Sequence, residues 1–230
     1  MNYFYTKYNV NVLYNNNNME KLIVFGGTGG TGKEVIKQAL EKGFPVTAII
    51  RQPHNFQLQH RLLKVVKGDV MQPASYEQEL VNAHAVISCL GSGRSTKPTK
   101  VYSQGMLNII SAMSNTGLRR LICVSAGALY VNKEMGLFNR ILIKLLLEPI
   151  LKEPYADMRL MEETVLNSQL DWSIVRPARL TNKPVSGKYR AIIDSPIKRP
   201  FSISRADLGH YLLSIIDAPA TVQKIISIAY

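Results

Sequence analysis

Between an apolar run, Leu22-Ile23-Val24-Phe25, and a stretch that places Val35, Ile36, Ala39 and Leu40 on one helical face, the chain inserts Gly26-Gly27-Thr28-Gly29-Gly30-Thr31-Gly32-Lys33. A short, wholly apolar run ending in glycines fits a parallel strand buried on both faces, and Gly43 offers the helix a stop. Such a turn leaves the helix N-terminus open, with unsatisfied N–H groups and a positive dipole end suited to phosphate. Three phosphate-binding patterns overlap in the loop. Gly27-x-x-x-x-Gly32-Lys33 begins a P-loop, but Glu34 follows where a Ser or Thr hydroxyl would hold Mg²⁺. A carboxylate there repels phosphate, which argues against an ATPase. Gly27-x-Gly29-x-x-Gly32 is a dinucleotide fingerprint, and Gly26-x-x-Gly29-x-x-Gly32 is a variant of it. In such loops the glycines serve a tight turn, close approach of backbone to pyrophosphate, and close packing of helix on strand. Gly26, Gly27, Thr28, Gly29, Gly30, Thr31 and Gly32 are therefore candidate cofactor-binding residues.

The alternation continues along the chain. Pro45 to Ile50, Leu62 to Val66, Ala85 to Leu90, Leu121 to Val124, Trp172 to Val175 and Ile225 to Ala229 read as strands. A helix marked by Met106, Ile110 and Met113 and closed by Gly117 falls between two of them. Strands alternating with helices call for an α/β fold with a mostly parallel sheet. The chain has 230 residues, no repeat of fixed period and no linker, so residues 20–230 are expected to form one domain. Residues 1–19 carry an Asn run, Asn15 to Asn18, and no periodicity, and are expected to be a disordered tail. A natural start at Met19 is the second reading.

Lys and Arg number 28 against 16 Asp and Glu, a net charge of +12, which nucleic acid, a membrane surface or a phosphate-bearing ligand could explain. No stretch approaches 18 apolar residues, so no membrane span is expected. Nucleic acid is disfavoured because no basic helix or recognition motif is present. Cys89 and Cys123 sit in apolar runs and suit reduced thiols of a cytoplasmic protein. His54, His60, His84 and His210 lack metal-ligand spacing, so no metal is expected. Part of the charge has a more local reading. NAD sites place a carboxylate about 20 residues beyond the glycines, to bind the ribose hydroxyls. Here Arg51 stands at the end of the second strand, and no Asp or Glu occurs between Glu41 and Asp69. A guanidinium pairs with a 2′-phosphate that a carboxylate would repel, so NADP(H) is the expected cofactor. Asp69 and Val70 could meet the adenine edge or merely end a strand. Leu90 and Gly91 fall where open α/β sheets bind ligands, and the basic loop Ser92 to Pro98 is either a lid or a solvated loop.

Taken in order, Phe25 to Gly32, Arg51, Gly68-Asp69-Val70, Leu90-Gly91, Val124-Ser125-Ala126, Leu170 to Pro177 and Ile203 to Leu208 resemble the atypical short-chain dehydrogenase/reductases. The likeness is to the branch with biliverdin reductase B (flavin reductase) and NmrA-like proteins, and covers about residues 20–230. It implies a doubly wound, mostly parallel Rossmann sheet with a small C-terminal substrate-side extension. It also implies that Ser125 faces the nicotinamide and hydrogen-bonds a carbonyl of cofactor or substrate, and that Pro177 walls the nicotinamide. Tyr155-x-x-x-Arg159 has the spacing of the catalytic Tyr-x-x-x-Lys of ordinary members, with Arg in place of Lys. Tyr155 as general acid competes with an amphipathic helix start at that point. Arg179 stands where the branch often has a His, and suits an anionic acceptor. The expected activity is NADPH-dependent hydride transfer to a small conjugated acceptor such as a flavin, quinone or tetrapyrrole. The alternative is a non-catalytic NADP(H)-sensing regulator. Residues 137–151 form an apolar stretch with Arg140, Lys144, Glu148 and Lys152 on one stripe, which Pro149 should end or kink.

Overall fold

Leu22, Ile23, Val24 and Phe25 are each wholly shielded from solvent, as expected of a central parallel strand covered on both faces. The computed structural model describes residues 20–93, 95–130, 136, 141, 145 and 148–230. The tail 1–19 and most of the 137–151 stretch lie outside the described residues. The strands are β1 Leu22–Phe25, β2 Val46–Ile50, β3 Leu63–Lys67, β4 Ala85–Ser88, β5 Arg120–Val124, β6 Asp171–Pro177, β7 Arg179–Thr181, β8 Arg190–Ile193, β9 Ser202–Ser204 and β10 Lys224–Ala229. The helices are α1 Gly30–Glu41, α2 Ser103–Thr116, α3 Glu148–Leu166 and α4 Arg205–Ser214. Eight strands form a sheet in the order β3-β2-β1-β4-β5-β6-β10-β8. All its pairings are parallel except β8 on β10. Strand order reverses between β1 and β4, the place where open α/β sheets open a crevice for ligands.

Two cores flank the sheet. Val35, Ile36, Ala39 and Leu40 of α1 pack with Leu208, Leu212 and Leu213 of α4 on one face. On the other, Met106, Ile109 and Met113 of α2 pack with Met158, Met161 and Val165 of α3. The sheet is doubly wound. Ile109, not the anticipated Ile110, completes the buried stripe of α2, because positions three and four apart share a helix face. Gly117 closes α2 in the left-handed conformation, with Leu118 N–H bonded to Met113 O at 2.9 Å.

Pro149 is the second residue of α3; whether it ends or kinks a helix over 137–151 falls on residues mostly outside those described. Tyr155 lies well inside α3 rather than at its start. Asp157, two residues on, is buried and caps the other helix, α2. It accepts Tyr102 N–H at 2.9 Å and Ser103 N–H at 3.3 Å, together with the Ser103 hydroxyl. Carboxylates stabilise helix N-termini through these orphan donors.

The C-terminal extension is held by one carboxylate. Asp207, wholly buried, accepts Ser186 N–H and Gly187 N–H at 2.8 Å, the Ser186 hydroxyl at 2.8 Å and the Tyr230 hydroxyl at 2.6 Å. Its own N–H bonds the Ser204 cap at 2.9 Å. Burial by itself would raise its pKa, but these donors outweigh burial and hold it below the ordinary value. A depressed carboxylate stabilises the fold above the unfolded value of about 3.9 and loses that contribution as pH falls through the folded one. Asp207→Ala should therefore cost about 2–3 kcal/mol at pH 7. The cost should shrink below about pH 4. Denaturant melts at the two pH values measure it, and an equal cost at both would refute the assignment.

Candidate functional site

The glycine loop leaves the carboxyl end of β1. Gly26 has φ +76°, and a Cβ there would lie 2.2 Å from the Cys89 carbonyl oxygen just beyond β4. At Gly32 a Cβ would lie 2.3 Å from the Gly26 oxygen, so these two glycines let the turn and α1 close on the chain itself. Gly29 differs: a Cβ would meet only the Gly26 oxygen, at 3.3 Å, and its outer side is open. Thr28, Gly29 and Gly30 are exposed, while Thr31 and Gly32 are buried. Gly29 caps α1 without a side-chain bond, and the first turn holds no acid. The N-terminal N–H groups of α1 therefore offer an uncapped positive end, which fits a dinucleotide pyrophosphate.

The other expected site residues line up along the same edge of the sheet. Arg51 follows β2, is exposed, and makes no hydrogen bond or ion pair among the described residues. Asp69 follows β3 and turns the chain, its carboxylate accepting Met71 N–H at 2.9 Å, while Val70 packs beneath α2. Leu90 and Gly91 follow β4, and Ser92 N–H bonds the Tyr102 hydroxyl at 3.1 Å. Arg94 of the basic loop lies outside the described residues. Ser125 follows β5. Pro177 ends β6, and its carbonyl oxygen is where a Cβ on Gly127 would come within 3.1 Å. Arg179 opens β7, and its guanidinium stands 5.2 Å from the centre of the Phe201 ring, which is 67% exposed.

Ser125 is only 4% exposed. Its hydroxyl donates to Glu162 Oε1 at 2.5 Å. Glu162, on α3, is itself buried and forms a two-pronged pair with Arg176 of β6: Nε to Oε1 at 2.9 Å and NH2 to Oε2 at 2.5 Å. The Arg176 guanidinium also stands 4.2 Å from the centre of the Tyr130 ring. Burial, then the charge of Glu162, raise the Tyr130 pKa. A carboxylate only accepts, so the Ser125 proton belongs to Glu162, and the Ser125 hydroxyl cannot at the same time donate to a carbonyl.

Tyr155 is 9% exposed and packs in the core with Met158 and Met161. Burial raises its pKa. Arg159, at the position of the motif's Lys, donates to the Leu129 carbonyl at 3.2 Å. Glu162, Arg176 and Tyr130 were missed from sequence. Helical spacing put Glu162 on the apolar face of Met158, Met161 and Val165, a signal that a buried carboxylate needs a partner. Both thiols are free, and burial pushes Cys89 up to about 12, so neither is a nucleophile at neutral pH. Among the described residues no group of three or more His, Cys, Asp or Glu is placed to hold a metal ion, and no helix is long and apolar enough to cross a membrane.

A family model described as NAD(P)H-binding matches residues 26–219, from the glycine loop to the far side of α4. The chain belongs to the NAD(P)H-binding family. The chain is 27% identical to an uncharacterized chloroplastic protein of Arabidopsis thaliana over 186 residues, 73% of this chain and 62% of that one. It is 27% identical to photosystem II assembly factor Ycf39 of Synechocystis over 109 residues, 46% of this chain and 33% of the relative. The chain thus spans less than two thirds of the length of these relatives. Two solved structures share the fold. One is a short-chain dehydrogenase/reductase of Veillonella parvula in complex with NADP (TM-score 0.77, 19% identity, 92% and 94% of the two chains). The other is ChuY, an anaerobilin reductase of Escherichia coli O157:H7 (TM-score 0.73, 22% identity, 91% and 96%).

Proposed function

We propose that the protein is an NADPH-dependent reductase that transfers hydride to a small, flat, conjugated acceptor. When bound, the dinucleotide supplies a hydride from its nicotinamide ring. The glycine loop and the N-terminus of α1 hold the pyrophosphate, Arg51 the 2′-phosphate, and Asp69, Val70, Leu90 and Gly91 border the adenosine half. Ser125 and Pro177 border the nicotinamide, and Arg179 beside Phe201 receives an anionic group of the acceptor.

The observation that carries this reading is the commitment of the Ser125 proton to Glu162. With Ser125 donating inward and Tyr155 in the core, neither of the two hydroxyls expected to act on substrate is free to protonate an alkoxide. Acceptors whose reduced form takes its proton from water, such as flavins, quinones and linear tetrapyrroles, fit that arrangement. Simple ketones do not. The test follows NADPH oxidation at 340 nm with FMN, dichlorophenolindophenol, a quinone, a tetrapyrrole and a simple ketone. Turnover on the conjugated acceptors but not the ketone is expected, and preferential ketone reduction would overturn the reading.

Cofactor choice rests on Arg51. Arg51→Ala is expected to weaken NADP(H) by about tenfold or more while leaving NAD(H) nearly unchanged, since only the 2′-phosphate loses a charge-assisted partner. Equal losses for both cofactors in a fluorescence titration would refute it. Similarity to a photosystem II assembly factor supports a second reading, an NADP(H)-sensing module without turnover. Tight binding of NADPH with no oxidation on any acceptor would favour it.

A further inference from the structure

We propose that Arg205 is a ligand of the dinucleotide pyrophosphate, reaching across the glycine loop from the first residue of α4. The inference rests on the NAD(P)H-binding site at that loop and adds a residue from the far end of the chain. A Cβ built on Gly30 would lie 2.5 Å from Arg205 Cδ and 2.7 Å from its Nε. The guanidinium stem therefore occupies the volume that any side chain at position 30 would fill, on the exposed side of the loop. Gly30 is glycine because Arg205 crosses it.

The electrostatics of this placement are unfavourable without an anion. Arg205 sits at the N-terminal turn of α1, whose first turn holds no acid, and is itself the first residue of α4. A cation at two helix N-termini opposes both dipoles. The acid in the first turn of α4, Asp207, is turned away and committed to Ser186, Gly187 and Tyr230. Arg205 forms no ion pair among the described residues. One donor, NH1, is fixed by the Asn182 side-chain oxygen at 2.6 Å. That bond holds the fork over the loop and leaves Nε and NH2 for a ligand. Two converging helix ends and a guanidinium with uncommitted donors make a site for a doubly charged, oxygen-rich anion. The pyrophosphate is the part of the dinucleotide that the loop beneath is shaped to receive.

The role differs in kind from that of Arg51. Pyrophosphate is common to NAD(H) and NADP(H), so Arg205 contributes affinity without selectivity. Titrations of wild type, R205A, R205Q, R205K and R51A with NADP⁺ and NAD⁺ test it, with thermal midpoints measured in parallel. R205A and R205Q should weaken both cofactors by about 10- to 100-fold and by the same factor. R205K, which keeps the charge but not the fork, should recover part of the loss, and R51A should weaken NADP⁺ alone. Wild-type affinity for both dinucleotides in R205A and R205Q would overturn the proposal. So would a loss confined to NADP⁺, or a collapse of the R205Q midpoint that R205K does not share. A wild-type protein that binds neither dinucleotide would sink the cofactor assignment itself, a separate result.

Discussion

Replacing Arg120 by Ala is expected to cost about 3–5 kcal/mol, because several buried acceptors lose their donor at about 1–3 kcal/mol each. Arg120 is a charged residue in the middle of an apolar sheet, 8% exposed. Its Nε donates to the Ile216 carbonyl at 2.8 Å, NH1 to the Asp171 carbonyl and the Ser173 hydroxyl at 2.8 and 2.9 Å, and NH2 to the Ile215 carbonyl and Thr221 hydroxyl at 2.6 and 3.1 Å. All five guanidinium donors are used, and they tie β5 and β6 to the end of α4 and the turn before β10. Burial lowers its pKa to about 10, so it remains charged at neutral pH. Truncation strands several carbonyls that water cannot reach, each costing about 1–3 kcal/mol if left unpaired. Lys cannot reproduce a planar fork, so Arg120→Lys should recover less than half of the loss. Urea melts decide this, and a loss below about 1 kcal/mol, the value of an ordinary exposed contact, would show that the network is dispensable.

Glu162→Ala is expected to produce the second large effect, about 3–5 kcal/mol, because it leaves Arg176 and the Ser125 hydroxyl without their shared acceptor. The pair is not a surface bridge: the side chains are 1% and 19% exposed. The double variant E162L/R176M removes both charges and should regain most of the loss, since an apolar pair of similar volume replaces a costly buried ion pair. Failure of the double variant to regain stability would mean that Glu162 acts by packing and not by charge. At the site the expectation is distinct from stability. Freed of the carboxylate, the Ser125 hydroxyl can point outward as a donor, so NADPH affinity should persist while preference among acceptors changes. Unchanged acceptor preference in a folded Glu162 variant would remove the carboxylate from the account of specificity.

Much of the architecture was legible along the chain. Short apolar runs, such as Leu22–Phe25 and Ala85-Val86-Ile87, have one stable environment, a strand covered on both faces. Glycines at 26, 29 and 32 have few alternatives to a tight strand-to-helix turn. The small strands β7 and β9 gave no such signal, because three polar-flanked residues acquire strand structure only by pairing with each other under the Asp207 anchor. Tyr155 shows the limit of spacing. Tyr and Arg four residues apart share a helix face, but nothing in the spacing says whether that face meets the site or the core. Packing of α3 against α2 turned it to the core, with Asp157 fixing the rotation.

Local order along the chain was sufficient for the α/β class, the glycine turn, and a basic residue where a 2′-phosphate would lie, since each depends on neighbours within one strand–helix unit. The commitment of the Ser125 hydroxyl to Glu162, the burial of Tyr155, and the passage of Arg205 over Gly30 required the folded molecule. Each arises where side chains from distant segments compete for the same buried space and the same hydrogen bonds, and a linear sequence does not say which of them meet.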